Sequence, residues 1–202
     1  GQRIGTSGIV YGMGAVDDQI WIGVVPQQWW NGDGTVVRWN DTTSSWDDDL
    51  SNSGSIDRVN AQYIGDCFPL NITDCELWIA YGDNNLRRMH AQNGTLIDSW
   101  TDIEGPIRGI VEWQGEVLLA STAGVLRYNR TQGQWLTAWT EGSGLPQNSE
   151  DQIFAMRVIG DDLWLSSMDD ASWNTNAKLL WKNGSTGSWT TKSLGSTGVP
   201  SG

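Results

Sequence analysis

The chain repeats itself, and this internal repeat constrains its fold more than any other feature of the sequence. Val10–Gly23 overlays without gaps on Ile153–Ser166, and Ile107–Ala120 is a third copy. A degenerate fourth copy runs from Ile56 to Ala80, with a cysteine-containing loop inserted at its turn. Each copy has the pattern of a strand, a tight turn and a second strand. Internal similarity of this kind is typical of solenoids and propellers.

Each copy is followed by a second shared block that ends in a large apolar residue. The blocks begin at Val37, Arg87, Leu126 and Leu180, and in all four the apolar residue falls six positions after an Asn or His. The residues between them are those of hairpin turns. Anchor residues of the second strand recur 57, 40 and 46 residues apart, which is near the ~40–50 residues of a propeller blade. The repeated unit is therefore four short strands.

These repeats predict an all-β fold, a β-propeller of four four-stranded antiparallel blades. At 202 residues the chain is long enough for one sizeable core. We expect a single domain, 1–202, and blades at approximately residues 8–55, 56–105, 106–150 and 151–202. Four blades either close into a ring within one chain or form half of a larger ring that a homodimer completes. Most of the 14 tryptophans are expected to fill the space between adjacent sheets.

The third repeat carries a recognisable signature. It reads Val117–Asn129, then Gly133–Trp135, then Gly144–Asn148. This pattern resembles the two-component regulator propeller repeat, and the resemblance covers nearly the whole chain. It implies a blade-by-blade β-propeller of the kind found in extracellular sensor halves of bacterial hybrid signalling proteins, which are thought to recognise ligands such as oligosaccharides. The family defines a fold repeat and brings no catalytic set with it.

The charge of the chain excludes several classes of partner. Lys and Arg number 12 against 24 Asp and Glu, which gives a net charge of −12. Such a field repels phosphate backbones and anionic lipid surfaces, so we expect no nucleic acid as a partner. No run approaches the ~20 apolar residues that span a bilayer, so we expect no membrane insertion.

Cysteine and asparagine usage favours an oxidising compartment. Cys67 and Cys75 bracket a short loop that one disulfide could close, although a pair of free thiols is the alternative.

The first residues already have the pattern of a repeat edge, so we expect a mature or excised piece of a longer protein. The predicted location is extracellular, periplasmic or at the cell surface. Five Asn-x-Ser/Thr sequons agree with it, at Asn40, Asn71, Asn93, Asn129 and Asn183.

The longest insertions predict where a ligand would bind. In blades one and four the link after the second strand is long and carries tryptophans beside Asn and Asp, a combination that suits sugars because rings stack on sugar faces and carboxylates take hydroxyls. We therefore predict a glycan or peptide site. The alternative is that these tryptophans pack beneath their own loops. The predicted ligand-binding residues are Trp29, Trp30, Asp33, Asp169 and Trp173.

No motif in the sequence predicts catalysis, a cofactor or a metal. His90 is the only histidine, and a zinc site is not expected from one His and two Cys that are predicted to pair. No Ser-His-Asp arrangement has a supporting motif. The leading hypothesis is therefore a non-catalytic, extracellular ligand- or partner-binding propeller. The alternatives are a structural segment of a larger surface protein and a carbohydrate-active enzyme with an acid–base carboxylate pair.

Overall fold

The computed structural model of the chain is all-β over the residues that it describes. These are residues 8–16, 19–26, 35–47, 59–64, 76–81, 84–91, 94–147, 149, 152–168 and 177–193. Within these ranges there are seventeen strands and no helix. Accordingly, no described segment is a helix that could cross a membrane.

The described strands form four sheets, in which strands pair with their neighbours in chain order. Sheet one contains β1 (Gly8–Val16), β2 (Gln19–Pro26), β3 (Thr35–Asn40) and β4 (Ser45–Asp47). Sheet two contains β5 (Val59–Ile64), β6 (Glu76–Tyr81), β7 (Asn85–His90) and β8 (Leu96–Trp100). Sheet three contains β9 (Gly109–Trp113), β10 (Glu116–Ser121), β11 (Gly124–Asn129), β12 (Gln134–Glu141) and the short β13 (Gly144–Leu145). Sheet four contains β14 (Ile153–Ile159), β15 (Asp162–Ser167), β16 (Lys178–Lys182) and β17 (Trp189–Ser193).

Each sheet lies within one of the four predicted repeats, so the prediction of an all-β chain with four antiparallel sheets is confirmed. Sheet three differs from the four-stranded prediction because β13 pairs in parallel with β12. Gly142 and Gly144 have φ values of 68° and 95°, and these positive values let the chain loop so that β13 lies beside the end of β12 in the same direction. Closure of four blades into a ring stays a prediction.

The hairpin turns follow the repeat. Asn40 and Asn129 end β3 and β11, and Asn183 directly follows β16. All three accept backbone N–H groups of the following turn through Oδ1. This Asx geometry explains why Asn recurs there. The β9–β10 turn consists of Gln114 and Gly115, whose φ values are 51° and 79°. Two successive positive φ values match the type I′ turn that suits the twist of a hairpin.

The chain divides into two compact units, Gly1–Pro106 and Ile107–Gly202. The boundary coincides with the predicted boundary between the second and third repeats. Each unit therefore holds two sheets. The assignment of the whole chain to one domain stays a prediction.

In the first unit, sheet one packs against sheet two through a shared apolar cluster. Trp21 and Val36 of sheet one are buried together with Leu77, Ile79 and Met89 of sheet two. Trp21 is 1% exposed and the other four are fully buried. Fully burying such a side chain contributes about 1.5–3 kcal/mol each. This cluster is the core of the first unit.

In the second unit, sheet three packs against sheet four in the same way. Leu118 and Val125 of sheet three form a buried cluster with Leu163, Leu165 and Leu180 of sheet four. On β15 the buried residues alternate with half-buried ones, as expected for a strand with one face in a core. Leu118 occupies the position that Trp21 holds in the first repeat. In both units, therefore, residues at equivalent positions of the repeat form the contact between the two sheets.

The tryptophans are less buried than the sequence predicts. Among those whose side chains the structure describes, Trp21, Trp78 and Trp113 are buried, with 1%, 0% and 7% exposure. Trp135 is 36% exposed, and the others are half-buried. A Trp side chain on an outer strand keeps one edge in water while its ring covers a neighbour.

Candidate functional site

The predicted ligand-binding residues and the predicted disulfide fall outside the described residues. The flanking strands still locate the two insertions. One joins β2, which ends at Pro26, to β3, and the other joins β15, which ends at Ser167, to β16. Both are links between the second and third strands of their sheets, as the sequence predicts. The following positions stay predictions: Trp29, Trp30, Asp33, Cys67, Cys75, Asp169 and Trp173.

The second unit has a cleft at the opposite edge of its sheets. The β9–β10, β14–β15 and β16–β17 turns share this edge because successive antiparallel strands reverse direction. The cleft between them has a volume of about 290 Å³. It is lined by Glu112, Trp113, Gln114, Val158, Gly160, Asp161, Gly184 and Ser185.

Three hydrogen bonds tie the turns around this cleft together. Trp113 Nε1 donates to the Asp161 carbonyl at 2.7 Å, and Gln114 Nε2 donates to the Gly184 carbonyl at 2.7 Å. Both bonds run from sheet three to sheet four. Within sheet four, the Gly184 N–H donates to Asp162 Oδ1 at 2.8 Å. The shape of the cleft is therefore set by the protein itself, which lowers the entropic cost of binding a ligand.

Close packing of the backbone fixes one wall of the cleft. A Cβ on Gly184 would overlap the carbonyl of Asp161. Only glycine lets the β16–β17 turn approach the β14–β15 turn this closely. The β14–β15 turn includes Gly160, whose φ is 61°.

The chemistry of the lining is mostly polar. Glu112 binds Arg130, with 2.8 Å between Oε2 and Nη1. Asp161 is exposed to solvent, and the Gln114 amide faces the cleft from the neighbouring turn. Trp113 also lines the cleft, and because its side chain is 7% exposed, the apolar surface that it supplies there is small. Carboxylates and an amide beside an aromatic ring form a surface that can take the hydroxyl or amide groups of a ligand.

Sheets two and three each contain a Glu–Arg ion pair that the sequence reasoning missed. In sheet three, Arg127 donates to both carboxylate oxygens of Glu116, at 2.8 Å from Nε and 2.7 Å from Nη2. In sheet two, Arg88 pairs with Glu76 and also with Asp98, the latter at 3.1 Å. The glutamate begins the second strand in both sheets, and the arginine lies on the third strand.

The signal for these pairs was present in the repeat. Arginine is the second residue of the second shared block in repeats one and three, and Arg88 holds the equivalent position in repeat two. Each of these guanidinium groups also lies over a tryptophan ring, within the range of a cation–π contact. The distances to the ring centroids are 5.5 Å for Arg38 over Trp21, 5.7 Å for Arg88 over Trp78 and 4.6 Å for Arg127 over Trp139.

Sheet four departs from this pattern because Trp181 stands where the other sheets have arginine. Trp181 pairs across the strands with Trp164, and their rings stack with centroids 5.4 Å apart and an interplanar angle of 8°. Asp162 occupies the position of Glu116 in the overlay of the repeats. Its carboxylate binds the Gly184 N–H instead of an arginine.

A half-buried lysine lies beside two tryptophans near the outer strands of the second unit. Lys182 Nζ is 5.2 Å from the ring centroid of Trp139 and 4.7 Å from that of Trp189. It donates to the Gly187 carbonyl at 2.9 Å. Burial, followed by the positive charge of Arg127, lowers the pKa of Lys182 below its ordinary value. The two rings compensate part of the cost of burying this charge.

No family model matches the chain, and no curated protein matches it. Several solved structures do match it. The extracellular domain of the hybrid two-component system BT4673 from B. thetaiotaomicron is 15% identical, with a TM-score of 0.63 over 95% of this chain and 22% of that one. The WD40 repeats of RRP9 are 10% identical, with a TM-score of 0.63 over 95% of this chain and 54% of that one. The computationally designed Ika4 protein is 12% identical, with a TM-score of 0.57 over 96% of this chain and 99% of that one.

These comparisons concern the fold. The chain spans about a fifth of the length of the BT4673 extracellular domain, of which it covers 22%. WD40 repeats form β-propellers, whose blades are four-stranded sheets. The arrangement of strands in this chain is therefore propeller-like.

Proposed function

We propose that the chain is a non-catalytic, extracellular or periplasmic β-propeller module that binds a ligand or a partner. The observation that carries the proposal is the cleft at the turn edge of sheets three and four. Its turns are tied by the Trp113 and Gln114 hydrogen bonds, so it is formed before any ligand arrives. Similarity to the extracellular domain of a hybrid two-component system supports both the location and the sensor type.

The proposed architecture is four blades. The sheets of each unit join through the same columns of the repeat, which supports one blade per sheet. The ring closes either within one chain or by pairing two chains. Light scattering after size exclusion distinguishes these cases, because a monomer has a mass of 22.2 kDa and a dimer twice that value.

The proposed ligand is rich in hydroxyl or amide groups, as a glycan or a peptide is. The carboxylates of Glu112 and Asp161 accept such groups, and the Trp113 ring offers an apolar surface beside them. The insertions that carry Trp29 and Trp173 are a second candidate on their amino-acid composition. The cleft residues and the insertion residues belong to different links of the sheets, so substitutions separate them.

A glycan array and a peptide library, each probed with the full chain, test this function. Gln114→Asn and Asp161→Ala alter the cleft, and Asn at position 114 still tolerates the positive φ of that turn. Trp29→Ala and Trp173→Ala alter the insertions. Gln132→Ala is the matched control, since it changes an exposed residue of the β11–β12 turn outside the cleft.

Loss of binding in the two cleft variants alone would assign the ligand to the cleft. Loss in the two tryptophan variants alone would assign it to the insertions that the sequence predicts. If the folded chain binds nothing on either array, ligand recognition is the wrong function. A structural segment of a larger surface protein is then the favoured alternative.

A further inference from the structure

The chain contains three Asn–Gly pairs, and the structure describes one of them fully. The pairs are Asn31–Gly32, Asn93–Gly94 and Asn183–Gly184. Asn–Gly is the dipeptide most prone to deamidation, because glycine has no Cβ to hinder attack by its backbone nitrogen on the preceding side chain. The Asn183–Gly184 pair lies in the β16–β17 turn, and Gly184 lines the cleft.

Both residues of this labile pair have a role in the turn. Asn183 Oδ1 accepts the backbone N–H groups of Ser185 at 3.1 Å and Thr186 at 2.8 Å. A Cβ at Gly184 would overlap the carbonyl of Asp161. Only Asp offers the same acceptor at position 183, and at position 184 only glycine avoids the overlap, so the turn retains a chemically vulnerable sequence.

The same turn restrains the atom that would attack. The Gly184 N–H donates to Asp162 Oδ1 at 2.8 Å, and the Gly184 carbonyl accepts from Gln114 Nε2 at 2.7 Å. The peptide nitrogen is thus held by a carboxylate from β15. A hydrogen bond to a charged group is stronger than one between neutral groups.

Deamidation would have to break these contacts. The Gly184 nitrogen would lose its proton and form a bond to Cγ of Asn183, while the Cγ–Nδ2 bond breaks and Nδ2 leaves as ammonia with that proton. Water would then open the resulting succinimide to aspartate or isoaspartate. Before the first step, the Gly184 N–H must leave Asp162, and the Asn183 side chain must leave the N–H groups of Ser185 and Thr186.

We propose that Asn183–Gly184 is a deamidation site that the Asp162 carboxylate keeps unreactive in the folded chain. The overlay of the repeats explains why Asp162 is available. Glu116, at the same position of sheet three, binds Arg127, whereas in sheet four Trp181 stands in the arginine position and Asp162 binds the turn instead. The product would add a negative charge to the cleft wall, and isoaspartate would lengthen the backbone of the turn. Asp162 therefore preserves the cleft as the protein ages.

Peptide mapping by mass spectrometry tests this proposal on the full chain, incubated in mildly alkaline buffer. Asp162→Ala should raise the deamidation rate at Asn183 by about ten-fold or more, since a hydrogen bond to a charged group is lost. Asp161→Ala is the matched control. It removes one carboxylate from the same turn but keeps the Asp162 contact, so its rate should equal that of the wild type. In concentrated urea, all three proteins should react at one rate.

Two results would overturn the proposal. Asp162→Ala could leave the rate unchanged or lower it, in which case the carboxylate does not protect the site. Asp161→Ala could raise the rate as much as Asp162→Ala does, in which case the charge of the turn matters and the hydrogen bond does not. Asp162→Asn covers the case in which Asp162→Ala fails to fold. Because its amide oxygen is a weaker acceptor of the same size, the rate should rise by a smaller factor, and a wild-type rate would count against the proposal.

Discussion

Replacing Arg127 and Glu116, singly and together, measures what a two-bond ion pair contributes to the stability of this fold. The Arg127 guanidinium donates to both Glu116 oxygens, at 2.8 and 2.7 Å. Each side chain is 20% exposed. The pair formed by Arg130 and Glu112 provides a comparison, because its exposures of 22% and 26% are similar and its guanidinium reaches the carboxylate through Nη1, at 2.8 Å from Oε2.

The expected magnitudes follow from this geometry. Exposed ion pairs contribute about 0.2–1 kcal/mol to stability, because solvent screens the attraction between their charges. Two short parallel bonds in a mostly buried setting raise the coupling energy of Arg127 and Glu116 to about 2 kcal/mol. For Arg130 and Glu112, we expect about 0.5–1 kcal/mol.

The assay is urea unfolding of the wild type, Glu116→Gln, Arg127→Met and the double variant. The double-mutant cycle cancels the loss of the Arg127 contact with the Trp139 ring, because both variants of Arg127 lack it. A second cycle uses Glu112→Gln and Arg130→Met. The reasoning from the two-bond geometry of Arg127 and Glu116 is refuted if the first coupling energy is no larger than the second.

Three further substitutions test the packing, the backbone and the charge of the second unit. Leu165→Ala should lower the free energy of unfolding by about 2–5 kcal/mol, because Leu165 is 1% exposed. Ile159 is 59% exposed, so Ile159→Ala should change the free energy of unfolding by less than about 1 kcal/mol. Equal shifts of the urea midpoint in the two variants would contradict the assigned core. Gly124→Ala should lower the free energy of unfolding by about 1–3 kcal/mol or more, since Gly124 has a φ of 112° and a Cβ there would overlap the carbonyl of Trp139. A thermal unfolding midpoint equal to that of the wild type would argue against this backbone constraint. Because burial lowers the pKa of Lys182 in the folded chain, the unfolded chain binds the proton more tightly, and stability should rise with pH between the folded pKa and 10.5. Lys182→Met should remove that rise in urea titrations across the alkaline range, and an unchanged pH profile would refute the assignment.

Much of the fold follows from the repeat itself. The overlay of Val10–Gly23 on Ile153–Ser166 predicts the β1–β2 and β14–β15 hairpins, and both are present. The first strand of the degenerate repeat could not be aligned, and the structure places it at Val59–Ile64. The short β13 was not predicted, because two residues in parallel pairing have no periodicity and depend on a turn at Gly142.

The cleft could not be predicted in the same way. In the sequence, Asp161 and Asp162 appear as turn residues, and nothing there shows that Trp113 reaches the carbonyl of Asp161 across two sheets. The contact depends on how turns of different repeats approach each other, which a single repeat does not encode. The arginine column was visible in the overlay, but its glutamate partners lie on another strand and required the register of the sheet to connect them.

The apolar contact between paired sheets bears on how such a chain can gain or lose repeats during evolution. In both units the residues that connect two sheets come from the same columns of the repeat, with Trp21 and Leu118 as equivalent residues. Within each unit, the first sheet therefore contacts the second through equivalent positions of the repeat. Duplication or loss of one whole two-sheet unit would leave the apolar contact inside every remaining unit intact. The number of sheets can then change by two between related proteins without the evolution of a new core.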